Sequence, residues 1–422
     1  MPQPQTVHDV ADHKLCTGCG VCAYLAPDEV RMVDVLDHGR RPLPITPVAR
    51  NGAGATAAVA CCPGVRLEHD TVQAAPGEIA ELRAAWGPVR AIYEGYAADP
   101  EIRFAGSSGG VATALAAFCI ERQGMAGALH IGARKDVPYL NETKYSLGRD
   151  DLLANAGSRY APASPCDRLD LIESAPAPSV FIGKPCDVAA VRMARQVRPA
   201  LDAKVGLTIA IFCAGTPTTQ GTLEMLKALG VDDPGQIESV HYRGNGWPGH
   251  ARTRLVDDPP GQERRLTYEQ SWGDILQKHR QWRCYLCADH TGEFADVAVG
   301  DPWYRPTDGD PGRSLVLART ERGVRLIEAA IAAGALVLEP VEPKILPASQ
   351  PNLLRARGAV WGRLVTLRAA GLMTPRLKHL PMATMWRHNL STKEKLQSTV
   401  GTLRRVRRKQ LRTRATLTPM DN

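Results

Sequence analysis

Two stretches of this chain share one order of elements and decide the fold. Residues 178–196 are PSVFIGKPCDVAAVRMARQ, and residues 205–230 are VGLTIAIFCAGTPTTQGTLEMLKALG. Each begins with a short apolar run that predicts a strand, turns through glycine and proline, and continues as a helix-forming segment. Successive strand–loop–helix units predict an α/β fold with a largely parallel sheet.

The same alternation of strands and helices extends over residues 86–340, which we expect to form the catalytic region. Further strands are predicted in PVRAIYEGYA, GALHIGAR, DVAVGD and SLVLART, and further helices in VATALAAFCIERQG and ERGVRLIEAAIAAG. Residues 1–75 are expected to form a small ferredoxin-like module that carries cysteines. Residues 345–422 are expected to be a basic helical extension that ends in a disordered tail.

The composition is that of an ordinary globular protein, with 44% hydrophobic and 23% charged residues. No apolar run approaches the roughly 18 residues of a membrane span, and the polar N-terminus lacks the apolar core of a signal peptide. We therefore expect a cytoplasmic protein, where clustered cysteines are more often metal ligands than disulfides. The formal net charge is +8, and seven positive residues with no acid lie between Arg404 and Arg414.

A first set of cysteines lies in the N-terminal module. The run CTGCGVC contains Cys16, Cys19 and Cys22, and a Cys-Pro pair follows at Cys62. A ferredoxin-type run would continue with three residues and then a cysteine beside a proline, but Ala26 stands at that position, followed by Pro27. We expect Cys62 to supply the fourth ligand of one 4Fe–4S cluster, with the adjacent Cys61 as its competitor and a structural zinc site as the alternative.

A second set comprises Cys186 in GKPC, Cys213 in FCAG, and the pair Cys284 and Cys287 in CYLC. Cys186 and Cys213 each follow a predicted parallel strand, and ligands of α/β sheets bind at the carboxyl ends of strands. A lone cysteine is more often a small buried apolar residue, which is how we interpret Cys119; Cys166 is left open. Taken with the CxxC pair and with the family resemblance described below, the four cysteines are expected to hold a second cluster.

A glycine-rich turn precedes one predicted helix. The sequence GSSGG consists of Gly106, Ser107, Ser108, Gly109 and Gly110. Glycines let a ligand approach the backbone, and the N-terminus of a helix binds phosphate. The pattern differs from GxGxxG, so it does not indicate a nicotinamide-binding fold. A flavin is the usual converter between one-electron clusters and hydride chemistry.

Taken together, these motifs resemble the coenzyme F-420 hydrogenase/dehydrogenase beta-subunit family. The resemblance runs from Leu15 to Asp301 and rests on CTGCGVC, GSSGGVATAL, GSRYAPAS, FIGKPCDVAAVR, IFCAGTP, YRGNGWPG and CYLCADHTGEFADVAVGD. This family includes 7-hydroxymethyl chlorophyll a reductase and ferredoxin-dependent divinyl chlorophyllide 8-vinyl reductase. It implies FAD, one or two 4Fe–4S clusters, and transfer of an electron pair to a conjugated or deazaflavin acceptor.

The resemblance also implies which residues contact FAD. In addition to the GSSGG turn, these are Asn141, Lys144, Tyr145, Ser158, Arg159 and Tyr160. For the proton that accompanies reduction, Asp301 and His250 are the candidate catalytic residues. His290 is a further candidate for that proton, and Arg243 could anchor an anion.

The sequence thus predicts an iron–sulfur flavoprotein reductase that passes electrons from ferredoxin or a similar acidic donor through two 4Fe–4S clusters to FAD and then to a small-molecule substrate. Alternatives are an F-420-dependent oxidoreductase, an electron-transfer beta subunit of a larger complex, and a zinc-stapled interaction protein. The basic tail is compatible with a solvated helix, with docking of an acidic donor or with peripheral membrane contact. No nucleic-acid partner is expected.

Overall fold

The structure is a computed structural model that describes residues 3–306 and 309–420. Its N-terminal module contains three short helices and three strands. These are α1 (Val7–Asp12), α2 (Val21–Leu25), β1 (Val30–Val35), β2 (Gly39–Pro44), α3 (Ala53–Ala57) and β3 (Arg66–Glu68). Strands β1 and β2 pair antiparallel. The cysteine run lies in the loop before α2 and in α2 itself.

The central region alternates strands and helices as the sequence predicts. The elements are α4 (Arg83–Trp86), β4 (Ala91–Ala97), α5 (Pro100–Ala105), α6 (Val111–Arg122), β5 (Ala128–Ala133), β6 (Asn141–Ser146), α7 (Arg149–Ala154), α8 (Asp170–Glu173), β7 (Ser179–Gly183), α9 (Pro185–Val197), α10 (Pro199–Lys204), β8 (Val205–Ile211), α11 (Thr219–Ala228), β9 (Ile237–His241), β10 (His250–Leu255), β11 (Arg264–Thr267), β12 (Val297–Gly300), β13 (Ser314–Ala318), α12 (Glu321–Ala332) and β14 (Leu336–Pro340). Each strand and helix quoted above from the sequence is present within these bounds.

One eight-stranded sheet organises this region, in the order β14-β4-β13-β12-β8-β7-β5-β6. The four inner strands β12, β8, β7 and β5 are parallel to one another. All pairings outside this group of four are antiparallel. The predicted α/β class is therefore confirmed, and the parallel pairing occupies the part of the sheet built from the two diagnostic stretches.

Both faces of the sheet are covered, which explains why its inner strands are almost wholly apolar. Successive side chains of a strand point to opposite faces. Val180 accordingly packs with α6 and α12 on one face, and Phe181 packs with α9 on the other. The result is a three-layer arrangement in which the strand ends, rather than the strand faces, are open to ligands.

A second sheet, in the order β11-β10-β9, is antiparallel and was not predicted from the sequence. Strand β10 reads HARTRL and β11 reads RRLT. Arginine-rich strands lack the alternation of apolar and polar residues by which a strand is usually identified. This sheet carries the loop with Arg243 toward the main sheet.

The C-terminal extension is helical, as expected. It comprises α13 (Ile345–Ser349), α14 (Pro351–Gly358), α15 (Val360–Ala369), β15 (Arg376–Lys378), α16 (Met382–Asn389) and α17 (Thr392–Arg408). Strand β15 pairs in parallel with β3 of the N-terminal module. Within the described residues, none of the helices has the length and apolar character needed to cross a membrane.

The expectation of a disordered tail is wrong for the described residues. The backbone N–H of Ala415 donates to Asp12 O at 2.8 Å, and that of Met420 donates to Asp34 O at 2.9 Å. Val406 and Leu411 are buried in the same apolar cluster as Cys16. The positive residues suggested a solvated segment, but two apolar residues among them are enough to dock it on the N-terminal module.

This docking can be tested with two matched substitutions in α17. Val406 is 8% exposed and Val400 is 47% exposed. Val406→Ala should lower the free energy of unfolding of this segment by about 2 kcal/mol, because it removes buried methyl groups. Val400→Ala makes the same change in helix propensity without losing packing. Limited trypsin digestion should cut the arginine-rich segment faster only in Val406→Ala; equal rates in both variants would contradict the docked tail.

Candidate functional site

A cavity of about 280 Å³ lies at the carboxyl ends of the four parallel strands. Its wall includes residues at or just beyond the ends of β5, β7, β8 and β12, namely Ile131, Ile182, Gly183, Ile211, Phe212, Gly300 and Asp301. Loops that leave adjacent parallel strands converge at this edge, so α/β proteins place their ligands here. This strand-end cavity is therefore the candidate binding site.

The glycine-rich turn forms one side of the strand-end cavity. Gly106, Ser107, Ser108 and Gly110 line it, as do the first residues of α6. Gly110 has φ +73°, and a Cβ there would lie 2.6 Å from Ile102 O, so only glycine fits this tight entry into the helix. The free N–H groups of the first turn of α6 face a ligand site, as anion binding requires.

Gly109 differs from the rest of the turn because it is not part of the cavity wall. Its N–H donates to Ser314 Oγ at 2.9 Å, and its carbonyl accepts a hydrogen bond from Ala97 N at 2.7 Å. Gly109 thus attaches the turn to the sheet, which leaves the other four residues available to a ligand.

Ser158, Arg159 and Tyr160 also line the strand-end cavity, as the resemblance implies. Ser158 N donates to Ser107 Oγ at 2.5 Å, which joins this loop to the glycine-rich turn. The Arg159 guanidinium is already engaged: it donates to Asn141 Oδ1 and to the carbonyls of Val240, Pro138 and Leu140. These contacts favour a role in shaping the wall over one in holding a phosphate.

The other three residues carried over for FAD lie on the edge strand β6, outside the cavity wall. Asn141 donates to Ala161 O and Pro162 O and orients Arg159. Lys144 forms an ion pair with Glu142, and Tyr145 OH hydrogen-bonds to Ser179 Oγ at 2.7 Å. The structure therefore places Asn141, Lys144 and Tyr145 in supporting positions.

Asp301 lies in the cavity wall at the end of β12, where it meets Arg243. The Arg243 guanidinium donates to both carboxylate oxygens, at 2.5 and 3.0 Å, and Trp247 Nε1 donates at 2.9 Å. Burial alone would lower the pKa of Arg243, but the facing Asp301 outweighs it and raises the pKa. By accepting three hydrogen bonds, the Asp301 carboxylate holds Arg243 and Trp247 in place.

The two histidines considered for proton transfer occupy different surroundings. His250 is exposed at the start of β10 and is not among the residues that line the cavity. His290 is buried, and its Nδ1 donates to Cys213 O at 2.8 Å. Burial lowers the pKa of His290 to about 4, so its imidazole is neutral at neutral pH.

Sequence reasoning missed an aromatic wall of the cavity. Tyr268, Trp272 and Trp303 line the cavity, and the rings of Tyr268 and Trp303 stack with centroids 5.2 Å apart. Arg243 lies 5.0 Å from the Tyr268 ring centroid and 5.3 Å from that of Trp303. The segment VGDPWY offered a weak signal for Trp303, but Tyr268 lies on a stretch with no motif. Such a wall suits a planar conjugated ligand.

Lys184 was also missed, although it lies within the quoted GKPC segment. It lines the cavity and donates to Asp187 Oδ2 at 2.6 Å. Burial by itself would lower the pKa of Lys184, but Asp187 and the neighbouring Cys186 thiol outweigh it and raise the pKa. A permanent positive charge therefore stands between the cavity and the second cysteine set.

The second cysteine set converges as expected. A small pocket beside the strand-end cavity is lined by all four of its members, Cys186, Cys213, Cys284 and Cys287. Burial raises the pKa of the thiols of Cys213 and Cys287 to about 12. Forming the thiolates is therefore unfavourable in the protein alone, but a bound metal would make it favourable because it deprotonates a coordinating thiol outright. These four residues, the strand-end quartet, fit an iron–sulfur cluster.

The first set, Cys16, Cys19, Cys22 and Cys62, is also brought together. All four are between 5% and 8% exposed, and the Cys22 thiol is close enough to the other three for each to raise its pKa, after burial itself. We name them the N-terminal quartet. Cys61 points elsewhere and donates from its Sγ to Met193 O at 3.5 Å, a placement that supports Cys62 as the fourth ligand.

Within residues 3–306 and 309–420, no three or more Cys, His, Asp or Glu side chains have the close arrangement that holds a single metal ion. A 4Fe–4S cluster differs from such a site in that each of four thiolates binds a separate iron.

Of the two remaining cysteines, Cys119 is fully buried in α6 among apolar residues, as interpreted from the sequence. Cys166 is buried against the N-terminal quartet. Its Sγ donates to Asp187 O at 3.4 Å, and its thiol hydrogen-bonds to Cys19 and lowers the pKa of that thiol. Cys166 therefore links the cysteine run to the helix that carries Cys186.

The two quartets and the cavity are adjacent. Cys213, Gly215 and Thr216 line both the strand-end cavity and the pocket of the strand-end quartet. Thr17 and Pro63, from the N-terminal module, line that same pocket, and Arg283 Nη2 donates to Pro63 O at 2.9 Å. The N-terminal quartet, the strand-end quartet and the cavity are therefore neighbours in that order.

Two family descriptions match this chain. Residues 92–169 match the N-terminal part of the coenzyme F420 hydrogenase/dehydrogenase beta subunit, and residues 179–344 match its C-terminal part. Together they include the glycine-rich turn, the aromatic wall and the strand-end quartet. The N-terminal quartet and the C-terminal extension lie outside both matches.

Among individual proteins, the chain is 24% identical over 252 residues to the coenzyme F420 hydrogenase subunit beta of Methanosarcina barkeri, covering 58% of this chain and 79% of that protein. It is 26% identical over 266 residues to the subunit of the same name from Methanothermobacter thermautotrophicus, covering 61% and 86%. To the coenzyme F420-dependent sulfite reductase of Methanocaldococcus jannaschii it is 24% identical over 356 residues, covering 80% of this chain and only 49% of that protein.

The fold has a solved counterpart. A chain of the xenon-derivatised F420-reducing NiFe hydrogenase complex from Methanosarcina barkeri superimposes with a TM-score of 0.51 at 20% identity, covering 66% of this chain and 94% of that chain. The two family matches contain most of the wall of the strand-end cavity and all four cysteines of the strand-end quartet. The chain therefore belongs to the coenzyme F420 hydrogenase/dehydrogenase beta subunit family of oxidoreductases.

Proposed function

We propose that this chain is an F420-linked electron-transfer oxidoreductase, which exchanges electrons between the deazaflavin coenzyme F420 at the strand-end cavity and a redox partner at the N-terminal module. The observation that carries the proposal is the shared wall: Cys213, Gly215 and Thr216 border both the cavity and the strand-end quartet. The names of the three relatives, all linked to coenzyme F420, support the choice of coenzyme.

FAD is the proposed resident of the strand-end cavity. The first turn of α6 and the hydroxyls of Ser107 and Ser108 would hold its phosphates, and the aromatic wall would face its conjugated ring. When bound, a flavin supplies the conversion between paired and single electrons. Since Tyr268 and Trp303 both line the cavity, we assign the side that they form to the planar ring of F420.

The two quartets are proposed to hold one 4Fe–4S cluster each. The chain offsets the negative charge of such centres with buried cations. Arg41 is close enough to Cys16 and Cys284 for both thiols to raise its pKa, although burial has the larger effect and lowers it. Lys184 places a buried positive charge beside Cys186 and Cys213 of the strand-end quartet. Positive charge beside a cluster favours its reduced form.

For the proton that accompanies electron-pair transfer, we assign no role to Asp301 or to His290, which lines the pocket of the strand-end quartet and not the cavity. Asp301 is engaged by Arg243 and Trp247, and His290 is neutral. The ion pair of Asp301 and Arg243 instead keeps the aromatic wall in a fixed position, because Arg243 lies against both rings of that wall. We propose that solvent at the cavity mouth exchanges the proton.

A second candidate function is a reductase that takes electrons from ferredoxin, in a reducing cytoplasm, and delivers them to another conjugated substrate such as a chlorophyll pigment. The basic segment docked beside the N-terminal quartet favours an acidic electron donor of this kind. The two candidates differ in what enters the cavity, and both use the same order of redox sites. In either case, other subunits of a complex are proposed partners.

The choice of coenzyme is tested with protein reconstituted anaerobically with iron, sulfide and FAD. Reduced F420 should lose its electrons to methyl viologen, which is followed by the absorbance of the reduced dye. Cys213→Ser, which removes a ligand at the shared wall, should reduce this rate to background while bound FAD is retained. If reduced ferredoxin bleaches the flavin and F420 has no effect in either direction, the second candidate replaces the first.

The ligand assignment is tested by two adjacent substitutions. Cys62→Ser should lower the iron content from about eight to about four atoms per chain, because it removes a ligand of one of two 4Fe–4S clusters. Cys61→Ser is the matched control and should keep all the iron, since Cys61 points to Met193. Iron analysis and low-temperature electron paramagnetic resonance measure both. Loss of the same signal in Cys61→Ser alone would assign the ligand to Cys61.

A further inference from the structure

The outer side of α17 and the segment just after it carry an unpaired charge cluster. Arg404, Arg407, Arg408 and Arg412 are exposed, and we call them the basic face. Unlike Arg414, which pairs with Asp12 at 3.7 Å, they make no ion pair with residues 3–306 or 309–420. The sequence from Lys395 to Met420 contains no Asp or Glu. Like charges three and four residues apart on a helix repel each other, so the cluster destabilises the isolated chain.

An apolar stripe accompanies the basic face. Leu396, Val400 and Leu403 are 57%, 47% and 54% exposed, and their spacing places them on one side of α17. The opposite side, with Ser398, Thr402 and Val406, is buried. An apolar centre beside a charged rim is the usual anatomy of a protein–protein interface.

The basic face is fixed beside the N-terminal quartet. Lys14 Nζ donates to the carbonyls of Lys409 and Gln410 at 2.8 and 3.1 Å, and Lys14 is two residues from Cys16. Val406 and Leu411 lie in one apolar cluster with Cys16 and Cys62. The end of α17 is thus attached to the part of the chain where electrons would enter or leave.

We propose that the basic face and the apolar stripe form the docking surface for an acidic electron-carrier protein, which exchanges single electrons with the centre held by the N-terminal quartet. This rests on the proposed function. In the step, the reduced carrier loses one electron and that centre gains it, with no bond formed or broken. The positive surface would attract the carrier from a distance and hold it next to the quartet.

An anionic membrane is the competing occupant, and the contacts disfavour it. The tryptophans that could anchor this region in a membrane, Trp361 and Trp386, pack against each other with ring centroids 4.8 Å apart and ring planes inclined at 49°. Trp386 Nε1 also donates to Ser398 Oγ at 2.9 Å, on the buried side of α17. Neither indole is free to insert into the bilayer interface.

The test uses the full chain reconstituted with iron, sulfide and FAD, with a reduced plant-type 2Fe–2S ferredoxin as the probe. The test variant combines Arg404→Glu, Arg407→Glu and Arg408→Glu. The matched control combines Arg122→Glu, Lys227→Glu and Arg325→Glu, three exposed cations of the central region that change the net charge equally. Stopped-flow absorbance gives the second-order rate constant at ionic strengths of about 0.01 and 0.15 M.

The test variant should lose about tenfold or more in rate constant at low ionic strength and should lose most of its salt dependence. The control should keep the wild-type salt dependence. A second variant with Gln at the same three positions should fall between wild type and the test variant, which separates loss of attraction from added repulsion. Equal losses in the test and control variants, or no loss in either, would overturn the docking surface.

Two further measurements keep the proposals distinguishable. Reduction by dithionite and methyl viologen does not require docking, so failure of these small reductants to reduce the chain would overturn the proposed function itself. If the dyes reduce the chain normally but the test variant has the same ferredoxin rate constant as wild type, only the docking surface is overturned. The wild-type chain is also sedimented with phosphatidylserine vesicles. If the test variant loses this sedimentation while its ferredoxin rate constant is unchanged, the basic face is assigned to an anionic membrane instead of a carrier protein.

Discussion

The register between β7 and β8 is the constraint on which the site depends. Gly183 pairs with Ala210 in this parallel ladder, and Cys186 and Cys213 each lie three residues beyond that pair. Both thiols therefore leave the sheet at the same edge and at the same height. A one-residue slip would turn every side chain of one strand to the opposite face, which would disrupt the packing on both faces and separate the two cysteines.

Parallel pairing also explains why redox and ligand sites are neighbours. The loops that leave β5, β7, β8 and β12 all emerge at the same edge, so Cys213 can border the cavity on one side and the strand-end quartet on the other. The fourth of these strands brings Asp301, whose ion pair with Arg243 attaches the small antiparallel sheet to the main one.

A buried charged network holds the Cys284–Cys287 loop against the C-terminal extension. Asp289 accepts hydrogen bonds from the backbone N–H groups of Thr291, Gly292 and Glu293. Arg357 of α14 pairs with Glu293 and donates to Ala288 O. Charges buried this deeply are costly unless each is paired, and here the pairing fixes the loop that presents two cysteines. The extension is thus part of the framework of the redox sites.

Sequence alone determined the α/β class, the α6 turn and the cysteine run of the N-terminal module, because apolar strands, glycines at helix starts and closely spaced thiols are local patterns. The second set of cysteines is dispersed from Cys186 to Cys287, so its grouping was predicted from strand-end placement and the family resemblance instead of spacing. The sequence could not show that Arg159 is engaged by carbonyls, that His250 lies outside the cavity, or that Tyr268 and Trp303 form a wall. Those facts depend on contacts between segments far apart in the chain. The basic tail is the plainest example: its charge is local, but its place beside Cys16 is decided by Val406 and Leu411, whose burial requires the folded N-terminal module.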